Sequence, residues 1–279
     1  MTLLSAAQIP TTEVPAAPTE FDRFLHLNPV EHPGTFALDL PDAWTALVGI
    51  HGGYLTSLAV RAAEIVIPER RVRTLTTSFL RSARPGPAEL RLTEPRRSRS
   101  ISTASVELVQ DGRPVTTTRL TLVTDQDGIE WRTAEPIALP PLDDCVPIVP
   151  RIPSAHFDRA QALLDPSSLP FTDGPRAMVR GYLRPLEPRP VDAAWLAMAS
   201  DWFPPPAFVR LEPPVGGISV DLTTHVHHTL PSLSDDEWLT ASFEITTSAG
   251  GMATEHGRIA TVDGHLLAES FQTRWMVPR

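Results

Sequence analysis

Three groups of residues in this chain have types and spacings suited to chemistry. His225, His227 and His228 sit together in THVHH. His225 and His227 share one face of a strand, which suggests a metal, but no third ligand lies at a familiar spacing, so no metal site is expected. His51 precedes the glycine pair Gly52-Gly53, which opens a run with helical spacing. The free N–H groups and the dipole at such a start favour a developing negative charge, and glycine lets a substrate come close to the backbone. The candidates there are the N–H groups of Gly53 or Tyr54; the plain alternative is a tight turn before a helix. His51 beside them has either a substrate-binding or a structural role. Arg96, Arg97 and Arg99 form a dense basic cluster, suited to phosphate groups or simply a solvated turn between two strands.

Other chemistries lose their means. The chain has no lysine, so all 24 basic residues are arginine; a Schiff base and a Walker A phosphate loop both need lysine. No G-x-S-x-G occurs, and the nearest text, TTSAGG at 246–251, lacks the first glycine. Cys145 lies in a proline-rich stretch with no obvious base nearby, so a covalent intermediate has no support. The single cysteine rules out an internal disulfide and fits a reducing cytoplasm. The net charge of −9 argues against a nucleic-acid partner, though a local arginine patch can still take a small phosphorylated ligand. Residues 1–20 lack the basic and apolar regions of a secretory leader, and no apolar run reaches the roughly 18 residues that span a bilayer. A cytoplasmic protein without membrane contact is expected.

The elements that must position these residues follow from periodicity. Residues 1–20 mix Thr, Pro, Ala and Glu without period and read as a mobile tail. GTFALDL (34–40) alternates like a strand. After Gly53, Leu55, Leu58, Ala59, Ala62 and Val66 fall on one helical face, and Pro68 closes the helix. Strand-like runs follow at 71–82, 87–95, 101–110 and 113–124, the last two joined by Asp111-Gly112, a strong hairpin signal. The second half repeats the plan: a helical run at 191–202, strands at 216–228, 238–248, 252–262 and 266–277, and an Asp263-Gly264 turn. Both halves carry Leu-Thr-Thr, at Leu75 and at Leu222, 36 residues before Asp111 and 41 before Asp263. One long helix followed by antiparallel strands, given twice, predicts an α+β fold built by duplication. The units are 21–125 and 175–279, separated by a proline-rich linker at 126–174 that has one helical run near 155–164.

The wording of the repeats resembles the acyl-CoA thioesterase II family. In the first half the resembling text is HGGYLTSLAVRAA and SFLR…PGP…RRSRS…VELVQDGRPV; in the second it is MASDW, SVDLTTHV and LLAESFQTRWM. The resemblance covers roughly residues 20–279 and is weak in the linker. It implies a double hotdog, two helix-wrapped antiparallel sheets joined side by side. It also implies hydrolysis of an acyl-CoA or acyl-carrier thioester by water, without a cofactor, in a homo-oligomer. The family's aspartate, hydroxyl residue and glutamine, which hold the water, fall on Asp201, Ser219 and Gln272, with Ser219 in place of the more usual threonine. Asp201 would then be the base and the other two would orient the water. The plain readings are an aspartate binding backbone amides at a helix end and two polar residues on a wet strand face. By alternation Ser219 belongs with Asp221, Thr223 and His225, and Gln272 with Ser270 and Arg274. An acyl-thioester binder without catalysis, or a dehydratase or hydratase using His51, are the rival activities.

Overall fold

The central helix is held by apolar contacts on almost every side. Residues Gly52–Val66 form it, here α2; only Arg61 and Ile65 along it are exposed. It ends at Ile67, because Pro68 has no N–H to continue the ladder. A computed structural model describes residues 18–276, apart from 126, 127, 130, 151–153, 211–216, 235 and 236. The expected tail therefore lies, as far as residue 17, outside the described residues. Thr19 and Asp22 form a reciprocal cap on a short helix, α1 (Glu20–Phe24).

The first repeat continues with β1 (Asn28–Pro29) and β2 (Thr35–Leu40) before α2. After it come β3 (Arg71–Phe79), β4 (Gly86–Arg97), β5 (Ile101–Gln110) and β6 (Arg113–Val123). The linker supplies β7 (Val146–Pro147) and β8 (Ala160–Leu164). The second repeat holds β9 (Ala177–Pro185), helix α3 (Ala193–Ala199), β10 (Ile218–Val226), β11 (Leu239–Ala249), β12 (Met252–Thr261) and β13 (Leu266–Trp275). Among the described residues these thirteen strands form one antiparallel sheet in the order β1-β2-β4-β5-β6-β3-β10-β13-β12-β11-β9-β8-β7. The five strands β2-β4-β5-β6-β3 mirror β9-β11-β12-β13-β10 about the β3–β10 contact. That is the expected double hotdog.

The two Leu-Thr-Thr segments make that contact. Leu75 pairs with Thr224, Thr76 with Thr223 and Thr77 with Leu222, so the tripeptides run antiparallel against each other. The Thr76 and Thr223 hydroxyls meet at 2.9 Å. Inside the curved sheet α2 packs on α3. Small residues let them approach: Ala59, Ala62 and Ala63 on one, and Ala193, Ala194 and Ala197 on the other, are all buried. The Ser57 hydroxyl donates across to the Ala194 carbonyl at 2.7 Å. Asp192 caps α3, accepting from the Trp195 N–H at 2.8 Å.

The Asp-Gly turns differ. Asp111 and Gly112 both have positive φ (51° and 70°), as a tight two-residue hairpin requires, whereas at the second turn only Gly264 does (φ 85°). The run at 155–164, expected as a helix, is a 3-10 turn over Ala155–Arg159 followed by strand β8. The partner decides this: residues 160–164 complete their backbone bonding along β9, from Ala160↔Pro185 to Leu164↔Gly181, and pairing overrides a weak helical period. β9 itself, disguised by Gly181 and its arginines, gives no clear alternation.

Candidate active site

Asp201 stands just past the end of α3, where its own N–H still donates to the Met198 carbonyl at 3.2 Å. The antiparallel packing of the helices brings this end to the start of α2. There the Gly53 N–H donates to Asp201 Oδ2 at 3.1 Å. The approach needs glycine: a Cβ on Gly53 would lie 2.4 Å from the Met198 carbonyl oxygen, and one on Gly52 would lie 2.8 Å from Asp201 Oδ2.

Gln272 projects from β13 toward the same point. Its Nε2 donates to Asp201 Oδ1 at 2.8 Å and to Ser219 Oγ at 2.6 Å. The three side chains singled out in the sequence therefore meet at one nitrogen. Ser219 arrives there through a β-bulge. In the β10–β13 ladder Ser219 faces Arg274 and Leu222 faces Gln272, with a register shift between Ser219 and Asp221. The extra residue turns Ser219 to the inner face with Leu222 and Thr224. Simple alternation placed it with Asp221, Thr223 and His225, and that placement is corrected here.

Two residues that the sequence reading did not assign complete the cluster. Arg274 Nε donates to Glu255 Oε2 at 2.5 Å, and its NH2 reaches Glu255 Oε1 at 3.2 Å and Asp201 Oδ1 at 3.4 Å. Its NH1 reaches the Gly217 carbonyl at 3.2 Å and Ser219 Oγ at 3.4 Å. Both residues are buried. Burial pushes the Glu255 carboxyl up from its ordinary range, and the Arg274 guanidinium opposes that push. The available signal was the period-two step from Gln272 to Arg274. Glu255 lies opposite Gln272 on β12, a pairing that only the register reveals.

The cluster opens on a cavity of about 740 Å³. His51, Gly52, Asp201, Ser219 and Arg274 reach it, while Gln272 is buried behind Asp201 and Ser219. Much of the remaining wall is apolar, with Leu55, Phe79, Ile148, Leu164, Phe203 and Phe208 among its residues. Ile148 and Leu164 come from the linker, which is thus a wall of the cavity as well as a connection.

His51 is occupied at both nitrogens. Nδ1 accepts from the Tyr54 N–H at 3.2 Å, so Nε2 carries the proton and donates to the Asp201 backbone carbonyl at 2.8 Å. Burial holds its pKa below the ordinary value, against the pull of Asp201, and keeps the ring neutral. It stacks on His156 at 4.4 Å, itself driven down to about 2, chiefly by burial. Of the expected amide donors, the Gly53 N–H is taken by Asp201 and the Tyr54 N–H by His51. The Gly52 N–H has no bonding partner among the described residues.

The structure does not bring Arg96, Arg97 and Arg99 to this site. They are exposed at the far end of β4, where Arg97 pairs with Glu94 and with Glu69, just beyond the end of α2. A 15-residue helix puts that end about 22 Å from Gly52. The exposed arginine that lines the cavity is instead Arg81, beside the buried Arg274. The histidines of THVHH point elsewhere: His225 meets Thr74, His227 meets Arg73 and His228 packs on His265. No cluster of three or more metal-ligating side chains occurs among the described residues, and no described helix is long and apolar enough to cross a membrane.

Comparison with known proteins follows the same outline. The acyl-CoA thioesterase N-terminal domain family matches residues 40–123, and the acyl-CoA thioesterase C-terminal domain family matches residues 136–276. Among solved structures, a hot dog-fold protein of unknown function from Alicyclobacillus acidocaldarius is 24% identical. It has a TM-score of 0.84, with 94% of this chain and 100% of that chain covered. An acyl-CoA thioesterase II from Mycobacterium marinum is 22% identical, with a TM-score of 0.74 and coverage of 94% and 98%. At these identities the likeness is one of fold. The comparison with curated proteins finds no match.

Proposed function

The chain belongs to the acyl-CoA thioesterase family, and from that premise we propose that it hydrolyses an acyl-CoA thioester by direct attack of water held at Asp201 and Ser219. The observation that carries the reading is the shared Gln272 nitrogen, which ties a carboxylate and a hydroxyl together at the wall of a largely apolar cavity. Gln272 is a positioning residue in this scheme, since both its N–H groups are spent on Asp201 and Ser219. Ser219 Oγ accepts from Gln272 and Arg274, which leaves its own hydrogen to donate to the water.

The steps balance simply. The water oxygen attacks the thioester carbonyl carbon while Asp201 takes its proton. The tetrahedral oxyanion faces the start of α2, where the free Gly52 N–H and the helix dipole stabilise it. The C–S bond then breaks, the thiolate takes the proton back from Asp201, and free acid and thiol leave. His51 has no part as a base, because both its nitrogens are committed; this removes the group that a dehydratase would need at the helix start.

The acyl chain fits the apolar cavity, and the anionic CoA tail fits its mouth. Arg81 lines the cavity, and its guanidinium bonds to the Pro114 carbonyl, next to Arg113. Arg84 is joined to the same hairpin through Gln110. Arg81, Arg84 and Arg113 are exposed and have no acidic partner among the described residues.

The test is thiol release from a panel of acyl-CoAs of increasing length, followed with Ellman's reagent. Turnover above background with at least one of them is expected, and Asp201→Ala should lower kcat by a factor on the order of 10² or more. Saturable binding without turnover across the panel would make the protein an acyl-thioester binder and end the hydrolase reading.

A further inference from the structure

Arg274 enters the water-holding scheme only through its bond to Ser219, and Glu255 does not enter it at all. The guanidinium has five N–H donors, and all five have protein acceptors: two on Glu255 and one each on Asp201, Ser219 and the Gly217 carbonyl. None is left over for a substrate, although the side chain borders the cavity. We propose that Arg274, clamped by Glu255, is a positioning residue that sets Asp201 and Ser219 at a fixed separation around the attacking water. The proposal rests on the hydrolase reading above.

Three observations carry it. The first is reach. Asp201 follows α3, Ser219 sits on the bulge that begins β10 and Glu255 is on β12; Gln272 links the first two, and the planar fork of Arg274 bonds side chains from all three. The second is composition by symmetry. The ladder β3–β6 has the same bulge as β10–β13, between Val72 and Thr74, and pairs Val72 with Leu122 and Leu75 with Leu120. Ala104 faces Leu120 as Glu255 faces Gln272. The first repeat therefore holds Val72, Leu120, Leu122 and Ala104 where the second holds Ser219, Gln272, Arg274 and Glu255, and all four are buried. The fold accepts an apolar rung at each position, so it does not require the ion pair. The third is electrostatic. A buried ion pair recovers little more than its desolvation cost, so its presence in one repeat only is weak evidence for stability and points to another use. Around Asp201 the neighbours are neutral His51 at the cap of α2, Glu255 from β12, Ser219 from β10, and Gln272 and Arg274 from β13; His156, also neutral, stacks on the far side of His51. Arg274 is thus the one cation beside the carboxylate among the described residues, and it holds Asp201 Oδ1 from the side opposite the Gly53 N–H.

The experiment copies the first repeat into the second. The double variant Arg274→Leu with Glu255→Ala takes the residues of Leu122 and Ala104, so it removes both charges of the pair together and should still fold cooperatively, although Asp201, Ser219 and the Gly217 carbonyl each lose one partner. Its kcat should nevertheless fall by a factor on the order of 10², the usual result of a misplaced catalytic group, with KM within about threefold of wild type. Arg274→Lys keeps a cation for Glu255 but cannot span Asp201, Ser219 and Gly217 together, and it too should lose kcat while KM holds. It decides the matter if the double variant does not fold. A kcat within about threefold of wild type in either folded variant, or a KM rise that accounts for the whole loss, would overturn the proposal. Failure of the hydrolase reading looks different: wild type itself would then release no thiol.

Discussion

Gly53→Ala tests the contact on which the site geometry depends. The new Cβ would lie 2.4 Å from the Met198 carbonyl oxygen, 2.8 Å from His51 Cε1 and 3.1 Å from Asp201 Cβ. Non-bonded heavy atoms settle at about 3.5–4.0 Å, so the end of α3 must retreat by roughly 1 Å. The carbonyl cannot simply rotate, because it accepts from the Asp201 N–H. Overpacking of this kind costs about 1–3 kcal/mol of stability. The retreat also carries Asp201 away from Gln272 and Ser219, and a misplacement of about 1 Å costs on the order of 10² in rate. The assay is thiol release at saturating acyl-CoA beside a thermal unfolding scan. Gly52→Ala is the comparison: its Cβ would meet the Asp201 carboxylate and the Phe79 ring, which are side chains and can move. It should cost less stability while still disturbing turnover. A Gly53→Ala protein with wild-type melting temperature and a kcat within about threefold of wild type would refute the close-contact argument.

Two further outcomes follow from charge. His51 and His156 are buried and neutral, with folded pKa values below the ordinary 6.5 and, for His156, about 2. The unfolded chain therefore binds more protons below pH 6.5, and stability, full above that pH, falls as the pH drops. His156, whose folded value lies far below the window, contributes up to about 1.4 kcal/mol per pH unit there, and His51 acts in the same direction. Denaturant melts of wild type and His156→Phe between pH 7 and 5 should show a shallower slope in the variant; equal slopes would remove His156 from the account. At the cavity mouth, Arg81→Ser combined with Arg84→Ser should raise KM for acyl-CoA by about tenfold and weaken its salt dependence. KM for an acyl-pantetheine, which lacks the nucleotide, should stay put; an equal rise for both substrates would place the CoA tail elsewhere.

Much of the fold was legible because local rules and packing agree. Alternation located β2, β5 and β6 within a residue or two, the helical run at Gly53 became α2, and Asp111-Gly112 took the positive φ values its turn demands. The duplicated Leu-Thr-Thr was visible as text; its meaning, two segments facing each other across the middle of the sheet, needed the register. The misses have physical causes. β8 lacks its own signal and is a strand because β9 offers it a backbone. Ser219 was placed on the wrong face because one bulge residue reverses the alternation. Asp201, Ser219 and Gln272 came from a resemblance, since nothing in their spacing shows that residues so far apart in sequence share a hydrogen-bonding nitrogen. Arg274 stood in plain view on the face of Gln272. An arginine at a strand end ordinarily reads as solvated, and only Glu255 across the ladder makes it a buried one.

The two repeats differ in what each buries at one set of rungs. Both place a bulge early in the strand at the central junction, so both have the backbone needed to turn a side chain inward there. In the first repeat that side chain is Val72, backed by Leu120, Leu122 and Ala104, and the rung is ordinary core. In the second the same backbone holds a hydroxyl, an amide, a guanidinium and a carboxylate, bonded to one another, to Asp201 and to the Gly217 carbonyl, with Gln272 Oε1 left without a partner among the described residues. Polar groups buried without partners would destabilise the core, so such a set is tolerable only when nearly complete. Asp201 completes it, and Asp201 reaches it only because Gly53 lets α3 end against the start of α2. The glycine pair and the polar rungs, separated by more than 150 residues of chain, are therefore one device. Changing either end should disable the other while leaving the first repeat, with its apolar rungs, intact.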